Sequence, residues 1–369
     1  MSNVVFRPTV VIGLGGTGNA VVRRLKQRFV DTYGSVPKII RFLTIDTTEN
    51  AEVQSRSATA TTEASEGVQL DPNEQYVLQV GNPAGLIGGP NPHIDEWWPT
   101  EIPTSAITAG AGQVRARGRL ALFARAPEVY ARIETAMNDV RNIRTHSQMY
   151  REQFQVSERP GVEVYIVSSL AGGTGSGLFL DISFMARAIT GDSEPSNFTG
   201  VLLLPRLFSH MAGVPLVKSN AYGALKEIEH LSITKEHFSV DYGFKKVEVT
   251  RPPFDLLYLL DSINEQGRVV TDQRDLMTMI ADGLYVQIGS QIGTDNMNAV
   301  DNIKTQISVA GRVKGRLPAY CSFGVASLAM PSFEALIYED AKRLVIEDLL
   351  NGSVADAEVE AEVEQFIDL

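Results

Sequence analysis

Residues 162–177 read Val162-Glu163-Val164-Tyr165-Ile166-Val167-Ser168-Ser169-Leu170-Ala171-Gly172-Gly173-Thr174-Gly175-Ser176-Gly177, and this stretch decides the fold. A β-rich apolar run from Val162 to Ser168 passes directly into a glycine loop, and a helical pattern follows from about Gly177 to Ile189. Four glycines in the order G-G-x-G-x-G arise by chance about once in a hundred chains at ordinary glycine usage. Glycines let backbone approach a ligand closely, Thr174 and Ser176 place hydroxyls between them, and a helix start adds unpaired N–H donors. That combination suits a phosphate. The chain contains no G-x-x-x-x-G-K-[ST], so the anion falls to backbone N–H groups, helix dipoles and a metal rather than to a lysine.

The same order occurs earlier in the chain. Thr9-Val10-Val11-Ile12 leads into Gly13-Leu14-Gly15-Gly16-Thr17-Gly18-Asn19, which satisfies G-x-G-x-x-G, and a helix with Val21, Val22, Leu25 and Phe29 on one face follows. A second strand, Ile39 to Ile45, ends at Asp46. A helical stretch is expected over 115–140. Val201 to Leu204 reads as a buried strand stopped by Pro205, then come a helix over 215–231, a strand from Asp255 to Leu260, and a long helix over about 273–289. Further on, a helix over 298–312, a strand from Ala319 to Met330 and a helix over 332–350 are expected. Alternation up to about residue 290 predicts an α/β fold: a mostly parallel sheet with helices on both faces and ligands beyond the carboxyl ends of its strands. The polar stretch 47–73 and the Gly/Pro-rich stretch 81–105, which holds Trp97 and Trp98, read as loops or insertions.

Composition narrows the function. Apolar residues make up 44% and charged residues 21%, and no window is long and apolar enough to span a bilayer. No basic stretch precedes the first apolar run, so a secretory signal is not expected and a cytoplasmic protein is. One cysteine, Cys321, and histidines without ligand spacing leave no structural zinc site. A formal charge of −11 argues against nucleic acid as a partner.

Ala171 to Gly177 match the [SAG]GGTG[SA]G signature of the tubulin and FtsZ superfamily at every position, and the chain resembles that family over roughly residues 8–330. Gly15 to Asn19 resemble the bacterial family's early glycine loop, and Thr108-Ala109-Gly110-Ala111-Gly112-Gln113 resembles the loop that contacts the γ-phosphate. The resemblance implies GTP or GDP with Mg²⁺ as ligand. Its phosphate contacts would be Gly15, Gly16, Thr17, Gly18, Asn19, Gly110, Ala111, Gly112, Gln113, Gly172, Gly173, Thr174, Gly175, Ser176 and Gly177, with Asp46 as an acid on the metal or phosphate side. Base and ribose contacts would come from Asn220, Asp282 and Arg206; a helix cap at Asn220 and a solvated helix residue at Asp282 are the alternatives. Arg115, Arg117 and Arg119 read as a solvated helix face, with a guanidinium near phosphate as the alternative.

Gly293 to Asp301 resembles the family's N-x-D-x-x-[DE] activation loop, with Asn296 and Asp301 in register and Asn298 where the family has an aspartate. An amide orients water but cannot take its proton. The resemblance therefore implies head-to-tail filaments of this chain, with hydrolysis completed by Asp301 of the next subunit and slowed by Asn298. The implied plan is a nucleotide-binding domain over 1–271, a central helix over 272–290, the activation loop with a small or reduced second domain over 291–350, and an acidic tail over 351–369 with a basic partner in prospect. Too few strands are visible after the central helix for a full second domain, so a reduced member or the front part of a longer chain is expected. Two rivals remain: a non-hydrolysing scaffold of the same fold, and an NAD-dependent oxidoreductase using Gly13 to Gly18 with Asp46 on the ribose.

Overall fold

Strands that read as unbroken apolar runs are strands covered on both faces. The computed structural model describes residues 4–48, 68–88, 91–158, 160–191, 194–209, 215–232, 237–264, 266–293, 320–324 and 341–343. Its main sheet contains β2 (Thr9–Leu14), β3 (Ile40–Asp46), β4 (Gln75–Val77), β6 (Glu163–Ser169), β7 (Asn197–Leu203), β10 (Leu256–Leu260) and β11 (Tyr320–Cys321). Their order is β11-β10-β7-β6-β2-β3-β4, and every pairing is parallel. Every residue of β2 and β6 is buried.

Alternate residues of each strand feed two cores. Val10, Ile12 and Ile166 pack against α3 (Arg115–Ala124), α4 (Ala126–Arg141), α6 (Thr174–Thr190) and α7 (Val217–Leu231). Val11, Tyr165 and Val167 pack against α1 (Gly15–Tyr33) and α8 (Gln273–Gly289). Helix α1 buries Val21, Val22, Leu25 and Phe29 on the sheet side and stops at Gly34, whose φ of 75° lets its N–H reach Val30 O at 2.8 Å. Phe29 meets Phe42 and Tyr285 at centroid distances of 6.2 and 5.2 Å, which ties the long helix α8 to α1.

The expected helix over 115–140 is two helices. Pro127 stands in the first turn of α4, where its missing N–H and ring prevent continuation from α3, and the chain turns at Arg125. Helix α1 begins at Gly15 rather than after the glycines, and α6 begins at Thr174 rather than near Gly177, so the glycine loops are shorter than their sequence patterns and merge into first turns. Shorter elements not expected from the sequence are α2 (Pro92–Asp95), α5 (Ile143–Arg151), a parallel pair of β1 (Val5–Phe6) with β5 (Gln155–Val156), and an antiparallel hairpin of β8 (Phe238–Asp241) and β9 (Lys246–Val249). In β9 only Val247 and Val249 face inward, a half-buried alternation four residues long.

By contact the chain divides into Met1–Val325 and Ala326–Leu369. Of the second unit, residues 341–343 are described, and they are helical. The helix expected over 298–312 and most of the strand expected from Ala319 to Met330 lie outside the described residues. Among the described residues, no helix is long and apolar enough to cross a membrane.

Candidate functional site

Strand β2 pairs with β3 on one side and β6 on the other, so the connections leaving β2 and β6 diverge at the carboxyl edge of the sheet and open a crevice there. Both glycine loops leave these two strands. Leu14 and Ser168 stand opposite each other, and the exits are level. The loops touch: Gly15 sits at φ 67°, and a Cβ on it would lie 3.1 Å from Gly175 N. A Cβ on Gly175 would stand 2.9 Å from Leu14 O. No larger residue fits this junction without moving backbone.

The crevice holds about 180 Å³. Gly15, Gly16 and Thr17 form one wall and Gly172, Gly173, Thr174 and Gly175 another. Gly110, Ala111 and Gln113 close a third side, with Asp46 and Thr48 at the end of β3. Four segments far apart in sequence thus converge on one space. Helices α1 and α6 both begin at its rim, so their unpaired first-turn N–H groups and positive dipole ends belong to it. Among the described residues, no Lys, Arg or His lines it. An anion held here is held by backbone.

A family model described as tubulin like matches residues 10–345. The chain belongs to the tubulin-like family. Among solved structures it is similar to CetZ from Methanosaeta thermophila, with a TM-score of 0.41, 14% identity, and coverage of 98% of this chain and 97% of that one. An FtsZ variant from M. jannaschii gives 0.40 and 15%, covering 77% and 57%. CetZ2 from Haloferax volcanii, in a GTPγS-bound protofilament, gives 0.38 and 17%, covering 76% and 57%. The chain therefore spans under two thirds of the length of the last two. No curated protein matches.

In this tubulin-like chain the turn at Gly110 is held in an unusual shape. Gly110 and Gly112 have φ of 100° and 59°, and Gln113, which has a Cβ, has φ 61°. Asn220, buried in the first turn of α7, donates from Nδ2 to Gln113 O at 2.8 Å and to Ala171 O at 2.9 Å. It therefore ties the turn to the second glycine loop. Its amide N–H groups face backbone carbonyls rather than open space. Nothing in the sequence near Asn220 signals this pairing across 107 and 49 residues.

Asp46 is 5% exposed. Its Oδ1 accepts from Thr47 N at 2.7 Å, and its Oδ2 has no partner among the described residues. Burial pushes its carboxyl up to about 6, against the opposing pull of the Thr47 and Thr48 N–H groups and the Thr174 hydroxyl. A desolvated carboxylate oxygen without a hydrogen-bond donor calls for a cation or a proton. Mg²⁺ takes one or two carboxylates together with water and ligand phosphates, which suits a single acid here. Among the described residues, no group of three or more His, Cys, Asp or Glu forms a metal cage. The hydroxyls of Thr47 and Thr174 lie 2.6 Å apart and link β3 to the start of α6.

Several expected contacts lie elsewhere. Gly18 packs helix to sheet: a Cβ there would stand 2.5 Å from Val167 O and 2.6 Å from Gly13 C. Asn19 accepts from Arg23 Nε at 2.7 Å along α1. Gly112 shapes its turn without lining the crevice, and Gly177 abuts the backbone of Arg115. Ser176 is fully buried, on a different cavity. Asp282 pairs with Arg28 at 2.5 and 3.0 Å. Arg28 lies about 18 Å down α1 from Gly16 at 1.5 Å per residue, so the pair sits well away from the crevice rim. Arg206 pairs with Asp261 at 3.0 Å where β7 and β10 end, at the crevice edge of the sheet. Arg115, Arg117 and Arg119 are neither a solvated face nor phosphate ligands. Arg115 holds Glu227 and Ser176 O, Arg117 donates to Ser105 O and Ala106 O, and Arg119 holds Asp181. Asn296, Asn298 and Asp301 lie outside the described residues.

Proposed function

We propose that this chain binds GTP and GDP together with Mg²⁺ and assembles head to tail into filaments that hydrolyse GTP between subunits. The observation carrying the proposal is the convergence of both glycine loops, the Gly110 turn and Asp46 on one crevice that no basic side chain lines among the described residues. Membership of the tubulin-like family supports guanine as the base.

Backbone N–H groups of Gly15 to Thr17 and Gly172 to Gly175 take the phosphates, aided by the starts of α1 and α6. Asp46, ionised at neutral pH, would hold Mg²⁺. When bound, Mg²⁺ would supply charge neutralisation on the phosphates. Asn220 keeps the Gly110 turn and the second loop at fixed separation, and Arg206 borders the ribose. From the adjoining subunit, Asp301 polarises the attacking water, while Asn296 and Asn298 orient it without removing its proton. Slow turnover follows from the single carboxylate.

Calorimetric titration with GTP, GDP, ATP and NAD tests the binding half. Micromolar GTP and GDP binding with none of NAD is expected; the reverse order returns the chain to the oxidoreductase reading. Sedimentation with GTP and with GDP tests assembly, and absence of nucleotide-dependent pelleting at any concentration sinks it. The rival scaffold reading draws on Asn298 and is favoured if assembled protein releases no phosphate and Asp301→Ala behaves as wild type.

A further inference from the structure

A second cavity, of about 430 Å³, opens between α3, α6, α7 and the start of β8. It falls within the size range of small-molecule sites. Its walls are mainly apolar: Leu180, Leu231, Phe238 and the indole of Trp97. Two guanidiniums also reach it, and both are already paired. Arg119 grips Asp181 through Nε and Nη2 at 3.0 and 3.1 Å and lies 4.6 Å over the Trp97 ring. Tyr242 donates its hydroxyl to the same carboxylate at 2.6 Å. Arg115 is bidentate on Glu227. Among the described residues the wall is therefore charge-neutral, and it offers an ion no net attraction.

Hydrogen-bonding capacity is nonetheless left over. Ser176 is 0% exposed, and neither its Oγ nor the Nε1 of Trp97 has a partner among the described residues. Buried donors without partners are rare in native structures and call for an occupant or an explanation. We propose that this cavity is a binding site for a small, flat, uncharged aromatic molecule carrying a hydrogen-bond acceptor on its rim. The ring would lie against Trp97 and Leu231, and the acceptor would take Ser176 Oγ–H, which at 0% exposure is reached only as the start of α6 shifts.

The site is coupled to the crevice by construction. Ser176 follows Gly175 and Thr174 in the first turn of α6, and Arg115 Nε holds Ser176 O at 3.1 Å. A ligand that shifts this turn changes nucleotide affinity, and nucleotide changes ligand affinity by the same factor. The coupling rests on the nucleotide reading; the binding does not.

The chain has two tryptophans, Trp97 and Trp98, so transfer of indole emission reports on this wall. Titration of the purified chain with Prodan, a neutral naphthyl ketone, is expected to saturate at one molecule per chain with a blue shift. Ala116→Phe fills the cavity and is expected to weaken binding about tenfold or more, about the 1.4 kcal/mol that a factor of ten represents. Ser176→Ala removes one donor without changing volume and is expected to weaken binding about fivefold. It serves as the test if Ala116→Phe melts. Non-saturating uptake, or wild-type affinity in a folded Ala116→Phe or Ser176→Ala, overturns the proposal. GTP titrations with and without saturating Prodan test the coupling. Equal GTP affinities with intact Prodan binding overturn the coupling alone, and Prodan binding without GTP binding counts against the nucleotide reading alone.

Discussion

The crevice at Gly172 and the cavity at Trp97 share helix α6 yet are built from opposite materials. Backbone lines the crevice: glycines, two helix starts and one buried acid with an open oxygen. Side chains line the cavity, and their charges cancel in pairs. Backbone N–H groups are positioned by the sheet and need no ordering when an anion arrives, whereas paired side chains present a neutral apolar wall. One end of a helix thus offers two chemistries within a turn of each other.

The largest effect is expected where that contrast is broken on the cavity side. Asp181→Ala strands the Arg119 charge and the Tyr242 hydroxyl and should destabilise the chain by about 3 kcal/mol, the low end for a broken buried pair because Arg119 is partly exposed. Urea unfolding measures it; a loss under about 1 kcal/mol would mean that solvent already screens the pair.

On the crevice side, Asp46→Asn should stabilise the nucleotide-free, Mg²⁺-free protein at pH 7 by up to about 3 kcal/mol, from a shift of about two units. The folded carboxyl titrates near 6, above its ordinary value of 3.8, so the folded state holds the extra proton. Its stabilising effect is therefore complete below about pH 4 and lost as pH rises to about 6. Melting temperatures of wild type and Asp46→Asn should agree near pH 4 and separate by pH 7. With Mg²⁺ and GTP present, the same substitution should weaken binding.

Asn220→Ala leaves two loop carbonyls without donors and should cost about 2 kcal/mol in urea unfolding. It should also loosen GTP by about tenfold, because the Gly110 turn and the second glycine loop lose their shared tie. A stability loss with unchanged affinity would reduce Asn220 to a helix-start residue. The smallest effect belongs to Asp282→Asn. The Arg28 partner is half exposed, so the expected loss is under about 1 kcal/mol, with GTP affinity unchanged in calorimetry. A marked affinity loss there would restore Asp282 as a base contact.

Much of the fold was legible because local order and tertiary order agree. Continuous apolar runs mark β2, β3, β6, β7 and β10, and the glycines that follow β2 and β6 mark the loops at the switch of strand order. The hairpin of β8 and β9 escaped notice because four half-buried residues per strand give almost no periodic signal. The pairing of Asp282 with Arg28 was not legible because one residue's polarity does not say which end of a helix pair it occupies.

By itself, the sequence determined the alternation of strand and helix, the two glycine loops and the absence of a phosphate-binding lysine from both. These are properties of short segments, set by apolar periodicity and by glycine's lack of a Cβ. Only the tertiary structure decided that the loops meet at Gly15 and Gly175, that Asp46 Oδ2 has no partner there among the described residues, and that Asn220 ties the Gly110 turn to the second glycine loop. Those facts depend on packing between residues about thirty to 160 positions apart, where strand register rather than local propensity sets which groups come within hydrogen-bonding distance.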